Sequence, residues 1–193
     1  MTPPTIPLFP LKTVLFPGGP LRLRIFETRY LDMIGRCMRE ATDFGVVLIL
    51  EGSEAGEIAS TAPVGTLATI VDFEKLEDGL LGITARGGRR FRVLSMSRQS
   101  DGLNVGSIAW HPHEQAAALP ERHAVLADVL RQALLNVVGM YPEGEVNYTD
   151  AGWVGSRLAE ILPFDPVDKQ ACLEMTDPVE RLDFVRARLD IRL

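Results

Sequence analysis

Few side chains in this sequence could do chemistry, and their spacing narrows what that chemistry could be. Of the three histidines, His111 and His113 flank Pro112, and His123 opens a helical stretch. A zinc site needs three or four convergent ligands. The two cysteines, Cys37 and Cys172, lie far apart with no Cys-x-x-Cys spacing, and neither is near a histidine in sequence. Zinc-ribbon and thioredoxin-type chemistry are therefore not expected. The histidines read as solvated linker residues, and the cysteines, each on an apolar helical stripe, as buried thiols. No Gly-x-Ser-x-Gly elbow supplies a nucleophile, and no Gly-x-x-x-x-Gly-Lys-[Ser/Thr] loop supplies a phosphate cradle. The acids Asp72, Glu74, Glu77 and Asp78 crowd one hairpin tip, where solvated charge is the ordinary state. The expectation is a protein that is not an enzyme, with no catalytic residue, no metal and no cofactor.

Two stretches could bind instead. Phe9, Phe16, Phe26 and Tyr30 fall close together around prolines, with Arg24, Glu27 and Arg29 among them. A proline-broken edge of this kind could offer an apolar groove to an extended peptide, so Phe9, Phe16, Arg24, Phe26 and Tyr30 are the candidate peptide-binding residues. The competing reading places the same rings in the core. The second stretch, Arg86 to Arg98, has five arginines and no acid. An RNA-binding alternative would use Arg86, Arg90 and Arg92 on phosphates. On a strand, Arg90 and Arg92 share one face while Phe91 and Val93 share the other, which makes Phe91 a core residue. A net charge of −6 and a pI near 5.1 oppose this alternative, so nucleic acid is a disfavoured partner.

The elements that must hold these residues divide near residue 115. Before it, short apolar runs alternate with turn signals. Ile6–Leu11 carries prolines that confine it to an edge strand or extended loop, and Val14-Leu15-Phe16 reads as a strand closed by a Pro17-Gly18 type II turn. Leu21, Leu23 and Ile25 alternate with arginines as a half-buried strand does. Tyr30, Met33, Ile34, Cys37, Met38 and Ala41 follow at helical spacing, with Thr28 as the N-cap. Val46 to Leu50 reads as a fully buried strand. From Gly65 to His111 the turns Glu77-Asp78-Gly79, Gly87-Gly88 and Asp101-Gly102 predict a four-strand meander, giving six or seven strands, enough to close a small barrel. After a linker at 112–120, one long helix is expected from about Glu121 to Met140. A second carries Trp153 to Leu162. Two more start at Asp165-Pro166 and Asp177-Pro178, each with an acid before a proline. The fold class is α+β: a barrel with one inserted helix over 1–115, then an α-helical bundle over 116–193.

One family has this order of motifs. Leu8-Phe9-Pro10-Leu11, Val14-Leu15-Phe16-Pro17-Gly18 and Leu21-Arg22-Leu23-Arg24-Ile25-Phe26-Glu27-x-Arg29-Tyr30 resemble the opening signature of the Lon protease amino-terminal domain family. Gly65-Thr66-x-Ala68-x-Ile70, Gly88-Arg89-Arg90-Phe91-Arg92-Val93, Arg157–Phe164 and Asp177-Pro178-x-Glu180-Arg181-Leu182 extend the resemblance over nearly the whole chain. It implies a PUA-like β-barrel followed by a helical bundle, and a polypeptide-recognition or adaptor role. It also implies that the partner is an unfolded or tagged polypeptide, with a protease or chaperone beyond it. The ATPase and peptidase modules of a full Lon protease are not expected here. The prolines at 3, 4, 7 and 10 stand where a signal peptide needs an uninterrupted apolar run, and no run reaches the ~18 apolar residues of a membrane span. A cytoplasmic protein without a membrane partner is the expectation.

Overall fold

The computed structural model describes residues 2–52, 58–135, 137 and 140–189. They fall into two compact units, Met1–His111 and Pro112–Leu193.

Among the described residues the first unit holds seven strands and one helix: β1 (Thr5–Leu11), β2 (Pro20–Ile25), α1 (Thr28–Glu40), β3 (Phe44–Gly52), β4 (Ile58–Thr61), β5 (Val64–Lys75), β6 (Leu81–Arg98) and β7 (Asn104–Trp110). The pairings run β1–β7–β6–β5–β3 and return from β3 to β1, while β2 pairs with β6 and β4 with β3. All contacts are antiparallel except β1–β3. Alternation along the strands sends neighbours to opposite sides. Leu8, Val47, Phe91 and Ile108, with Ile6, Leu67 and Val93, form one cluster drawn from all five strands of the closed path. Phe9, Val46, Phe44, Ala68, Ile83 and Ala85 face the other way, onto Tyr30, Met33, Ile34 and Cys37 of α1.

Several sequence expectations are corrected here. Ile6–Leu11 is no edge. β1 pairs with β7 through Leu8 and with β3 from Leu8 onward. The two registers overlap only at Leu8, so Pro7 and Pro10 each pair on one side and a missing N–H is tolerated. Val14-Leu15-Phe16 is buried but is not a strand. The Pro17-Gly18 turn does form, with Gly18 at φ 75° and the Gly19 N–H donating to the Phe16 carbonyl at 2.9 Å. Gly87-Gly88 is not a turn, and the meander has three strands rather than four, because β6 runs straight through it. Gly87 instead allows a close approach: its N–H and C=O bond Gly19 and Gly18 at 2.8 and 2.7 Å, and a Cβ there would strike the Phe16 carbonyl. Leu50 is exposed at 51%, although Val46 to Ile49 are buried as expected. The N-cap of α1 is Glu27, whose carboxylate engages Arg29 at 2.7 Å instead of capping the helix.

The second unit begins with a 3-10 turn, Glu121–His123, that leads into α2 (Ala124–Leu135); Val137 and Met140 lie in bends beyond it. Asn136, Val138 and Gly139 of the expected longer helix lie outside the described residues. α3 (Ala151–Ile161), α4 (Pro166–Glu174) and α5 (Pro178–Arg188) follow. Asp150 caps α3 through the Trp153 N–H at 2.6 Å, and Asp177 caps α5 through the Val179 and Glu180 N–H groups at 2.8 and 3.4 Å. Asp165 precedes α4 without a side-chain cap bond.

Candidate functional site

The structure separates the five candidate peptide-binding residues. Phe9, Phe16 and Tyr30 are core, at 6, 1 and 3% exposure. Phe9 and Tyr30 stack with ring centroids 3.8 Å apart, and Phe44 closes on Phe9 at 6.1 Å. Their rings therefore line no surface groove; burying them removes large apolar areas from water. Phe26 is 61% exposed, and Arg24, also exposed, pairs with Asp78 of the β5–β6 turn. Arg29, which sits among these residues, is buried: it donates to the Gly102 carbonyl at 3.1 Å and lies over the Tyr30 ring, fastening the start of α1 to the β6–β7 turn.

The arginine strand is likewise mixed. Arg90 is buried at 6%, Arg86 is half-buried and Arg92 is exposed, while Phe91 is wholly buried as expected. Arg90 and Arg92 thus do not form one solvent-facing pair. Arg89 lies over the half-exposed Trp110 ring at 4.6 Å.

A surface that sequence reasoning missed lies between the carboxyl end of α1 and β5. Cys37, Met38 and Ala41 form one wall, Thr42 and Asp43 the end, and Thr69–Phe73 the other wall, around a cavity of about 350 Å³. Three apolar side chains stand open there: Met38 at 40%, Val71 at 55% and Phe73 at 58% exposure. Ala41 ends the helix at φ 51°, the one non-glycine residue with positive φ among those described, and its N–H closes on the Cys37 carbonyl. The Cys37 thiol at the base is pushed up from its ordinary pKa by burial, with the Thr42 hydrogen bond partly opposing this. A thiol so placed is a poor nucleophile. In β5 the register slips between Ile70 and Asp72, so that Ile70 lies opposite Ala85 and Phe73 opposite Ile83. This bulge at Val71 keeps Phe73 on the core-facing side after the core itself has ended. The sequence held a sign of it in Val71 and Phe73, apolar residues set among the acids of the hairpin tip.

Two of the three histidines overturn the solvated-linker reading, whereas His113 is exposed. His123 is fully buried and His111 is 5% exposed. His123 Nε2 lies 2.9 Å from Asp183 Oδ1, and burial lowers its pKa despite that carboxylate. The signal was in the spacing: His123 precedes Leu126, Ala127 and Leu130 on one buried helical stripe. Arg181, 1% exposed, places all its N–H donors: Nε on the Cys172 carbonyl at 2.8 Å, Nη1 on Glu114 Oε1 and Ser156 Oγ at 3.0 and 3.2 Å, Nη2 on Glu114 Oε2 and the Met175 carbonyl at 2.5 and 2.9 Å. Arg157, 2% exposed, pairs with Glu160 at 3.1 Å and lies over the Tyr141 ring. Among the described residues, no three His, Cys, Asp or Glu side chains converge as metal ligands would. No helix among them is long and apolar enough to cross a membrane.

Comparison with known proteins places this architecture. The family model for the ATP-dependent protease La (LON) substrate-binding domain matches residues 5–190. The chain belongs to the Lon substrate-binding domain family. Lon protease of Anaeromyxobacter dehalogenans is 30% identical over 192 residues, covering 95% of this chain and 22% of that protein. Lon protease 2 of Myxococcus xanthus is 24% identical, covering 95% of this chain and 23% of its own length. The chain thus spans less than a quarter of these curated Lon proteases. A Lon N-terminal domain protein from Xanthomonas campestris has a solved structure that is 38% identical with a TM-score of 0.80, covering 95% of this chain and 98% of that one. The N-terminal domain of Mycobacterium avium complex Lon protease, 17% identical with a TM-score of 0.68, covers 98% of this chain and all of that one and shares its fold. In this Lon-type domain, the mixed sheet with its helices is the Lon N-terminal domain fold.

Proposed function

We propose that this Lon-type domain is a non-catalytic polypeptide-recognition or adaptor module that binds unfolded or tagged polypeptide in the cytoplasm, with a protease or chaperone as a further partner. The family match along residues 5–190 carries this reading, and the apolar groove between α1 and β5 supplies a surface suited to it. In the same reading the closed strand path is a PUA-like barrel, and α2 to α5 are the bundle that completes the domain. The RNA alternative through Arg86, Arg90 and Arg92 has less support, because Arg90 is buried and the net charge is −6.

Equilibrium binding of one protein in two states tests the proposal. A reduced, carboxymethylated protein that cannot fold should bind in the micromolar range or more weakly, on the order of −8 kcal/mol, while its native form should not bind. Equal binding of both forms, or of neither, rejects the proposal.

A further inference from the structure

We infer that the groove beside β5 takes its polypeptide as an added β-strand, and that it selects segments in which apolar residues alternate with lysine or arginine. This rests on the polypeptide-recognition reading and states how the recognition is done.

The backbone argument comes first. β3 pairs with β5 only where Phe44, Gly45 and Val46 lie opposite Ala68, Leu67 and Thr66. Before Phe44 the chain turns away through Asp43 and Thr42 into α1, whereas β5 continues to Lys75 paired with β6. Among the described residues, no strand fills the lane that β3 leaves beside Val71–Lys75. That lane is roughly 16 Å long at ~3.3 Å per residue, enough for a short strand. An unpaired edge is a template for another chain, and peptide capture on such an edge divides the work: main-chain bonds hold the segment and side-chain pockets choose it. One group on this edge is provisionally covered, since the Phe73 N–H donates to its neighbour Asp72 Oδ1 at 2.8 Å. An incoming carbonyl would take that N–H and free the carboxylate to face the ligand.

The side chains supply the choice. The bulge at Val71 turns Phe73 toward the groove, where it stands open with Met38 as an apolar contact for every second residue of a bound strand. Asp43 and Asp72 also line the groove, which has no lysine or arginine in its lining. Two carboxylates beside an apolar floor favour a segment carrying cationic side chains and disfavour an acidic one.

The test uses the full chain and a fluorescein-labelled decapeptide of alternating valine and lysine, read by fluorescence anisotropy. A strand turns the N–H groups of alternate residues toward one edge. Methylating one alternate set of peptide amides should therefore weaken binding at least tenfold, and methylating the other set less than twofold. If both methylated peptides bind within twofold of the parent, no strand is added and the inference is overturned. Replacing lysine by glutamate in the peptide should also weaken binding at least tenfold; undiminished binding would overturn the selectivity. Phe73→Lys, at an exposed position, should cut binding of the valine–lysine peptide at least tenfold with an unchanged melting temperature. If Phe73→Lys binds the carboxymethylated unfolded protein as well as the parent chain does, polypeptide recognition stands and this groove is not its site. If the parent chain binds no unfolded protein at all, the functional reading itself fails.

Discussion

Arg181 carries the largest single risk in the second unit. Its guanidinium is out of water, and every donor it has is matched by Glu114, Ser156 or a main-chain carbonyl. Arg181→Met should destabilise the domain by about 3 kcal/mol, because removing one member of a buried charged network strands the others. Denaturant unfolding of the variant at unchanged slope measures this; a loss under about 1 kcal/mol would mean that water replaces the network. His123 imposes a pH dependence. Its folded-state pKa lies below the ordinary 6.5 because burial disfavours the imidazolium, Arg122 and Arg186 add to this, and Asp183 only partly opposes it. As pH falls below about 6.5 the unfolded chain takes up a proton that the folded one refuses. Stability should therefore fall from there down to the folded pKa and change no further on this account. Between pH 7.5 and 5.5, His123→Gln should lose less stability than the parent chain, and equal losses would sink the assignment.

At the scale of elements, helix ends decide how the groove and α5 are set. Ala41 holds a left-handed conformation at φ 51° to terminate α1, which strains an L residue by about 1 kcal/mol or more relative to glycine. Glycine also gives up more freedom on folding, so Ala41→Gly should stabilise the domain by a net of roughly 0.5 kcal/mol. A lowered melting temperature would contradict this. At α5, Asp177 accepts from two N–H groups that have no intrahelical partner. Asp177→Ala should lose about 1 kcal/mol with the fold retained; an unchanged denaturation midpoint would show that water satisfies these donors equally well. The bulge in β5 works in the same way, with one extra residue at Val71 aiming Phe73 at the groove.

For the molecule as a whole, the aromatic residues of the opening segment serve the core more than the surface. Phe9→Ala should destabilise by about 3–5 kcal/mol, since it opens a cavity beside Tyr30 and Phe44. Phe26→Ala, at a ring 61% exposed, should stay within about 0.5 kcal/mol of the parent. Equal losses at the two positions would refute the division into core and surface. The same division moves the candidate binding surface from the proline-rich opening to the far end of α1 and to β5, which meet only after the chain has folded.

The sequence by itself determined the elements wherever a local rule dominates. Helical spacing located α1 and α3, Asp-Gly and Pro-Gly pairs located three turns, and the Asp177-Pro178 pair located a capped helix start. The ordered motifs from Leu8 to Leu182 identified the family. Tertiary structure decided what local rules cannot express. Prolines in β1 look like an edge until β3 and β7 share the strand between them, and Gly87-Gly88 looks like a turn until Phe16 is seen lying against it. His123 looks like a solvated linker residue until Asp183, distant in sequence, comes to meet it, and Arg181 finds its carboxylate partner in Glu114, likewise far along the chain. Burial depends on what packs against a residue, and that neighbour is usually far away along the chain. The groove is of the same kind: Met38 and Phe73 are unremarkable apart, and only the folded chain sets them beside an unpaired strand edge.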